Sequence, residues 1–162
     1  MPTPDFVLEL RKKIGHDLLW LPGITGVVLD AEDRVLLVRR ADNDRWTVVA
    51  GILEPGEQPA VGILREIYEE TGVEAEIERL VSIEALEPSA YPNGDQVQYL
   101  DLCFRCRPIR GEARVNDDES TEVGWFSLDA LPDIPAREAR CIANALRPDP
   151  APWFISQADP VG

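Results

Sequence analysis

The sequence contains few of the residues that cross-link small domains or bind soft metal ions. Its 162 residues include three cysteines, one histidine and one methionine. Three cysteines are too few for a disulfide scaffold, and their odd number leaves at least one of them unpaired. Such a composition is typical of a protein that works in a reducing compartment, so we expect a cytoplasmic location.

Positive charge and long apolar runs are also scarce. The chain carries 16 lysines and arginines against 30 aspartates and glutamates, which gives a net charge of −14. This balance argues against a protein that grips a nucleic-acid duplex or an anionic membrane. No apolar run approaches the roughly 18 residues that span a bilayer, and the N-terminal pattern is not that of a signal peptide. An acidic pocket can still bind phosphates once divalent cations are loaded.

Size and composition predict one globular domain, with 44% hydrophobic and 28% charged residues. Predicted helices cover residues 5–19, 58–70 and 136–146, and predicted strands cover 24–29, 34–39, 46–50, 75–86, 96–106 and 123–126. This alternation indicates a single α/β domain in which helices cover a mixed sheet. We divide the chain into an N-terminal helix (1–21), a main domain (22–146) and a proline-rich C-terminal tail (147–162).

The predicted N-terminal helix carries an apolar stripe formed by Phe6, Leu10, Ile14 and Leu18. Such a stripe can pack on the core of its own domain or on a second subunit. Because closed two-fold dimers are the commonest oligomers, a homodimer is one arrangement that this stripe predicts.

The most informative segment runs from Gly51 to Val73 and reads GILEPGEQPAVGILREIYEETGV. At about 100° per residue, Glu66, Glu69 and Glu70 fall close together on the predicted helix. The opposite half carries apolar residues that can pack on a sheet: Ala60, Val61, Leu64, Ile67 and Tyr68. Carboxylates this close repel one another. A bound cation would relieve the repulsion, whereas a solvated acidic face gives the same pattern without any ligand. A set of oxygen donors favours magnesium or manganese over zinc.

The same segment resembles the signature of the Nudix hydrolases: glycine, five residues, glutamate, seven residues, then Arg-Glu-aliphatic-x-Glu-Glu-x-Gly-aliphatic. The sequence matches every specified position, with Gly51, Glu57, Arg65, Glu66, Ile67, Glu69, Glu70, Gly72 and Val73. The resemblance implies an α/β/α sandwich with a mixed sheet. It also implies attack of water on phosphorus, which splits a nucleoside diphosphate linked to another group, with Mg²⁺ or Mn²⁺ as cofactor.

The resemblance further implies which residues act. Glu66, Glu69 and Glu70 correspond to the metal-binding glutamates of the family, and the carbonyl group of Gly51 is a further expected ligand. Of the glutamates, Glu66 is our first choice as the base that accepts the proton of the attacking water, and Glu70 is the second.

Three further residues complete the expected catalytic and metal-binding set. Glu57 matches a glutamate that assists the metal site directly or through water, and Arg65 is expected to hold Glu57 by an ion pair. Related enzymes often add a glutamate from a late loop, for which Glu119 is preferred to Glu122. A solvated acidic loop is the alternative reading of that segment.

Four residues are candidates for substrate binding. Arg39, Arg45 and Trp46 precede the signature, where an arginine and an aromatic ring could bind a phosphate and stack on a base. Tyr91 lies in a later loop. Tryptophan is more often a core residue, however, and an Asn-Gly turn explains that loop without a ligand. Pro88 resembles a marker of ADP-ribose enzymes and Tyr91 a marker of dinucleoside polyphosphate enzymes, so the two together do not discriminate.

Cys103 and Cys106 form a C-x-x-C pattern that invites a redox or zinc interpretation. They fall in a predicted strand, where residues three apart point to opposite faces. We therefore predict that both are buried small hydrophobic residues and not a pair.

The sequence thus predicts a pyrophosphohydrolase that acts on a small nucleotide, namely a nucleoside triphosphate, ADP-ribose or a dinucleoside polyphosphate. The alternative is a non-catalytic nucleotide-binding sensor with the same fold. Such modules usually have lost glutamates of the signature, and here the signature is complete.

Overall fold

The computed structural model describes residues 3–156, which contain three helices and eight strands. The helices are α1 (Asp5–Ile14), α2 (Pro59–Thr71) and α3 (Ala136–Ala145). The strands are β1 (Leu19–Val28), β2 (Val35–Arg40), β3 (Trp46–Thr47), β4 (Val49–Ile52), β5 (Glu74–Ala85), β6 (Ser89–Ala90), β7 (Gln96–Arg110) and β8 (Ser120–Phe126). No helix in this part of the chain is both long and apolar enough to cross a bilayer.

The strands form two sheets, of which the larger is mixed. Its order is β4-β1-β7-β5, and β6 pairs with the beginning of β7. Strands β1 and β7 run parallel, whereas β4 and β5 are antiparallel to their neighbours. The smaller sheet has the order β3-β2-β8 and is antiparallel. The predicted mixed sheet is therefore confirmed.

Helices cover both faces of the larger sheet, because side chains of its strands alternate between two core clusters. Ile24 of β1 packs in one cluster with Ile63 and Ile67 of α2. Val27 of β1 packs in the other with Ile142 of α3. Helix α1 contributes Val7 to a third cluster with Leu21 and Val97. The predicted α/β/α sandwich is confirmed, with α2 alone on one face.

Helix α2 begins with a proline at its first turn and ends at Gly72, whose φ of 69° is the left-handed conformation that favours glycine. Its packing face differs from the predicted one. Val61 and Tyr68 are 61% and 47% exposed, so the prediction that they pack on the sheet is wrong. The buried residues of α2 are Gly62, Ile63, Glu66, Ile67, Glu70 and Thr71. Since Ile63 and Ile67 lie only about 60–100° from Glu66 around the helix, packing them on the sheet also turns Glu66 inward.

The N-terminal segment also departs from prediction. Helix α1 ends at Ile14, because Gly15 takes a φ of 60°, and Leu18 therefore lies outside the helix and is exposed. Strand β1 begins at Leu19, before the predicted strand 24–29, and includes Pro22. The strand tolerates this proline because pairing with β4 begins only at the next residue. The homodimer stays a prediction.

The C-terminal tail adds a short extended segment to the larger sheet. Trp153 forms a parallel bridge with Ser82 of β5: its N–H group donates to the carbonyl of Val81 at 2.8 Å, and its carbonyl accepts from Ile83 N–H at 3.1 Å. Residues 157–162 of the predicted tail lie outside the described residues.

Cys103 and Cys106 are both fully buried in β7, and they belong to the clusters on opposite faces of the sheet. Cys103 shares its cluster with Cys141 of α3. The prediction that the C-x-x-C residues are buried and do not pair with each other is confirmed.

The packing of α2 makes a testable contrast between two aliphatic residues. Ile67→Ala should lower the free energy of unfolding by about 2–5 kcal/mol, because it leaves a cavity in a fully buried cluster. Val61→Ala should change it by no more than about 0.5 kcal/mol, because Val61 faces solvent. Urea denaturation of both variants measures the difference. If Val61→Ala lowered the free energy of unfolding as much as Ile67→Ala, Val61 would be a packing residue, as the sequence predicts.

Candidate active site

Two carboxylates of α2 are buried beside strand β4. Glu66 is 1% exposed and Glu70 is 7% exposed. Glu66 lies so close to Gly51 that a Cβ atom built on Gly51 would be 2.6 Å from the carboxyl carbon. Any other residue at position 51 would therefore displace the carboxylate or the strand. Glycine is needed here for close approach, and this contact brings the backbone of β4 next to Glu66.

Arg65 links three glutamates of the segment. Its Nε and Nη2 atoms donate to the two carboxylate oxygens of Glu57 at 2.8 and 3.0 Å. Its Nη1 atom donates to Glu66 at 2.9 Å and to Glu69 at 3.0 Å. The expected ion pair between Arg65 and Glu57 is present, with the bidentate geometry that gives strong guanidinium–carboxylate pairs.

Burial makes the two inward carboxylates hard to ionise. Burial raises the pKa of Glu66 to about 7, although the nearby Arg65 guanidinium opposes the shift. Burial also raises the pKa of Glu70 to about 8, and the negative charges of Glu66 and Asp117 add to the effect. The pKa of Glu57 is instead lowered, chiefly by its hydrogen bonds from Arg65. Glu66 and Glu70 are thus two close acids whose charges lack full compensation.

These residues fit a hard divalent cation. Within the described residues, no three histidine, cysteine, aspartate or glutamate side chains already stand in a group that could hold a metal ion. Oxygens of Glu57 and Glu69 point to Arg65. All the candidate ligand atoms of the site are oxygens, which hard cations prefer. A cation beside Glu66 and Glu70 would stabilise the negative charge that burial disfavours.

An acidic loop borders the same helix. Asp117, Asp118 and Glu119 line a small cavity of about 260 Å³ together with Glu66 and Glu69. Glu119 also lines a larger cavity that reaches Glu70. Glu119 therefore shares the small cavity with Glu66 and the larger cavity with Glu70.

Glu122, the other candidate of this loop, lies on the protein surface. It accepts a hydrogen bond from Arg39 at 2.5 Å, and Asp44 also binds Arg39 at 2.8 Å. Arg39 thus pairs with two surface carboxylates and is absent from the cavity lining. Its neighbour Arg40 lines the large cavity instead, because adjacent residues of a strand face opposite sides.

Asn116 holds the acidic loop against α2. Its Nδ2 atom donates to the carbonyls of Tyr68 and Glu69 at 3.0 and 3.2 Å, and its N–H group donates to the carbonyl of Glu70 at 3.3 Å. These bonds satisfy carbonyls at the C-terminal end of the helix. Sequence reasoning missed Asn116, because no local pattern marks a side chain that caps a helix more than forty residues away.

The large cavity has a volume of about 1670 Å³ and is lined by residues of α1, α3 and the larger sheet. Three residues that the sequence predicts to bind substrate line it, namely Arg45, Trp46 and Tyr91. Trp46 also packs edge-to-face on Phe126, with ring centroids 4.8 Å apart. It is therefore both a core residue and a wall of the cavity.

A buried polar network lies in the wall of this cavity. Arg137 of α3 donates to Asp101 of β7 at 2.5 Å and to Thr25 of β1 at 2.8 Å. Thr25 donates in turn to Asp101 at 2.8 Å. This network ties α3 to two central strands. Sequence reasoning missed it, because its members are far apart along the chain and none belongs to a local motif.

Comparison with known proteins gives consistent matches. The profile of the NUDIX domain matches residues 20–145. The "MutT-like protein" of Streptomyces ambofaciens is 37% identical over 108 residues, which are 67% of this chain and 64% of that protein. The human "8-oxo-dGDP phosphatase NUDT18" is 30% identical over 135 residues, which are 80% of this chain and 37% of that protein. The chain thus spans less than two thirds of the length of these relatives.

A solved structure shows the same fold. The MutT NUDIX hydrolase from Burkholderia pseudomallei superposes with a TM-score of 0.64 at 22% identity. The match covers 78% of this chain and 98% of that structure. At this identity the likeness concerns the fold, and the site must be argued from its own residues.

The raised pKa of Glu70 predicts how stability changes with pH in the absence of metal. Its pKa is about 8 in the folded protein against an ordinary value of 4.5. The folded state therefore binds more protons than the unfolded state between these values, and its stability falls as pH rises through them. In excess chelator, Glu70→Gln should become progressively more stable relative to the parent between pH 5.5 and 8.5.

Chemical denaturation across this pH range measures the effect, with the exposed Glu112→Gln as the control for loss of one negative charge. A stability difference between Glu70→Gln and the parent that does not change with pH would refute the raised pKa.

Proposed function

Because the chain belongs to the Nudix family, we propose that it is a divalent-metal-dependent pyrophosphohydrolase of a small nucleoside diphosphate-linked substrate. The residues of the site, and not the names of its relatives, carry the proposal. The candidate substrates remain nucleoside triphosphates, ADP-ribose and dinucleoside polyphosphates.

The observation that carries the proposal is the burial of Glu66 and Glu70 side by side, next to Gly51. Two buried like charges destabilise a fold unless a positive charge compensates them. The nearby Arg65 is already engaged with Glu57 and Glu69 as well as Glu66. Glu70 moreover lies in the wall of a cavity that is large enough for a nucleotide. A structural role alone does not explain this arrangement.

Glu66, Glu69 and Glu70 with the carbonyl of Gly51 would hold the cation, and Glu57 and Glu119 would assist. When bound, Mg²⁺ or Mn²⁺ supplies the positive charge that neutralises the diphosphate and activates water. Glu69 is half exposed and carries a single hydrogen bond from Arg65, so it can change partners at little cost. Arg65 keeps the remaining carboxylates in place through its bidentate pair with Glu57.

The positions of Glu66 and Glu70 bear on which of them accepts the proton of the attacking water. Glu66 accepts a hydrogen bond from Arg65 and borders the small cavity. Glu70 lines the large cavity, where a substrate has room, and its pKa of about 8 suits proton transfer near neutral pH. This placement supports Glu70 over Glu66 as the base, which reverses the order that the sequence suggested.

Residues around the large cavity would bind the rest of the substrate. Arg45 and Arg40 line the cavity, where a guanidinium group can bind phosphate, and Trp46 and Tyr91 present aromatic rings. Arg40 replaces Arg39 in this role because Arg40 lines the cavity and Arg39 does not. Both arginines pair with carboxylates, Arg40 with Asp42 and Arg39 with Glu122 and Asp44. The human relative is named an 8-oxo-dGDP phosphatase, which supports a nucleoside diphosphate among the first substrates to test.

The non-catalytic sensor is the weaker alternative. A sensor has no need to bury two acids next to a nucleotide-sized cavity, because binding alone does not require a proton acceptor. The complete set of carboxylates therefore supports catalysis.

Hydrolysis of a nucleotide panel tests the proposed function. With Mg²⁺ or Mn²⁺ we expect turnover of at least one member, and in excess chelator we expect none. Zn²⁺ at the same free concentration should not restore turnover, because the donor set contains oxygens only. Reaction in H₂¹⁸O should place the label in a phosphate product, as attack on phosphorus requires. Full turnover in chelator, or products whose phosphate groups carry no label, would contradict the proposal.

Substitution of the buried glutamates tests their role. Glu66→Gln and Glu70→Gln should each lower turnover by at least about 10²-fold, the scale of losing a general base or a metal ligand. Both variants should stay folded, because the change removes a charge that burial disfavours. Glu112→Gln, which removes an exposed carboxylate, is the matched control and should keep parental turnover. Near-normal turnover of both Glu66→Gln and Glu70→Gln would remove the basis of the proposal.

A further inference from the structure

The C-terminal tail reaches the large cavity through a defined backbone contact. Trp153 pairs with the free edge of β5, with backbone hydrogen bonds of 2.8 Å to Val81 and 3.1 Å to Ile83. The side chain of Asp149 accepts a hydrogen bond from Ala151 N–H at 2.9 Å and so holds the turn that precedes Trp153. These bonds fix which way the side chains of the tail point.

Side chains of the tail alternate between the cavity and solvent. Trp153 and Ile155 line the large cavity. Phe154, between them, is 61% exposed and is absent from the lining. This alternation is that of a strand. The tail thus presents one large aromatic ring to the cavity and a second one to water.

The register of the larger sheet shows how far the tail lies from β4, the strand whose Gly51 contacts Glu66. Ile52 of β4 pairs with Gly23, Gly23 with Asp101, and Asp101 with Glu84 of β5. The tail adjoins β5 on its other edge. With strands about 4.8 Å apart, the tail lies about 19 Å from β4 across the sheet. Gly51 of β4 and Trp153 of the tail therefore line the same cavity, which also includes Glu70, from positions four strand spacings apart across the sheet.

Polar side chains of α3 and β5 line the same cavity as Trp153. Arg140 binds Glu84 at 2.5 Å, one strand away from the pair of Arg137 and Asp101. Among the described residues, Oε2 of Glu138 and Nε of Arg137 are buried without a hydrogen-bond partner. A flat ring beside fixed polar groups is the combination that binds a planar heterocycle, because the ring stacks on its face and the polar groups meet its edge.

We propose that Trp153 is a specificity-determining residue, and that it forms the end wall of the cavity on which the planar base of the substrate stacks. This inference rests on the proposed function, since it concerns the part of the same substrate that lies farthest from the metal-binding glutamates. The tail is then part of the substrate site and not an appendage of the domain.

Binding of product-like probes tests this role. The probes are AMP, GMP, CMP and UMP, with ribose 5-phosphate as the matched probe that lacks a base, all titrated calorimetrically in Mg²⁺. Trp153→Ala should lower the affinity for the tightest-binding nucleoside monophosphate by about 5- to 100-fold, the range for loss of base stacking on an aromatic ring. The affinity for ribose 5-phosphate should stay unchanged in this variant. Trp153→Phe should restore much of the lost affinity.

Phe154→Ala is the control, because it removes the neighbouring ring that faces solvent, and it should bind every probe like the parent. Thermal melting checks that each variant is folded, and Trp153→Leu replaces Trp153→Ala if the latter unfolds. Equal weakening of nucleotides and ribose 5-phosphate would reveal a structural role and overturn the proposal. Unchanged nucleotide affinity in Trp153→Ala, or a parent that binds nucleotides no better than ribose 5-phosphate, would also overturn it.

Hydrolysis by the same preparation separates the two proposals. A parent that hydrolyses nucleotides while Trp153→Ala binds them normally refutes only the role of Trp153. A parent that binds bases through Trp153 and hydrolyses nothing refutes only the catalytic function.

Discussion

The close contact between α2 and β4 at Glu66 and Gly51 is the constraint on which the rest of the site depends. A Cβ atom at position 51 would overlap the carboxylate of Glu66, so the strand and the helix approach as closely as a residue without a side chain permits. Burial on this side of α2 raises the pKa of both Glu66 and Glu70. The packing of the helix and its acid–base chemistry are thus linked, because the same burial contributes to both.

Arg65 makes that arrangement tolerable. A buried acid cluster without a cation would favour protonation of its members or an opening of the helix. One guanidinium group contacts Glu57, Glu66 and Glu69 and leaves Glu70 to the cavity. The two carboxyl groups whose pKa values shift in opposite directions are chemically useful, because Glu57 is held ionised while Glu70 can take up a proton near neutral pH.

The sequence predicted those features whose cause is local. The signature segment, the end of α2 at Gly72 and the opposite directions of Cys103 and Cys106 all follow from spacing along a helix or a strand. The helix face was predicted wrongly for Val61, because an amphipathic pattern does not tell how a helix is rotated when polar residues are also buried. Arg39 was predicted to bind substrate but does not line the cavity, since which side of β2 faces the cavity is decided by its partner strands.

Contacts between distant segments could not be predicted at all. Arg137 binds Thr25, more than a hundred residues away, and no local sequence pattern near either residue predicts the pair. Asn116 and Trp153 were missed in the same way, because each acts through a backbone partner in another element. Their positions are properties of the assembled sheet, and only the register of its strands reveals them.

The parallel pairing of β1 with β7 has a consequence for how the chain assembles. Strands β5 and β7 are separated by a short connection, so they can pair early as a hairpin. Leu19 of β1 must instead find Val97, which requires closing a loop of almost eighty residues and a larger loss of chain entropy. Helix α2 and the strand that carries Gly51 lie inside that loop. Because Ile63 and Ile67 of α2 pack with Ile24 of β1 and Phe104 of β7, the surface on which this helix packs is complete only after that long-range pair has formed.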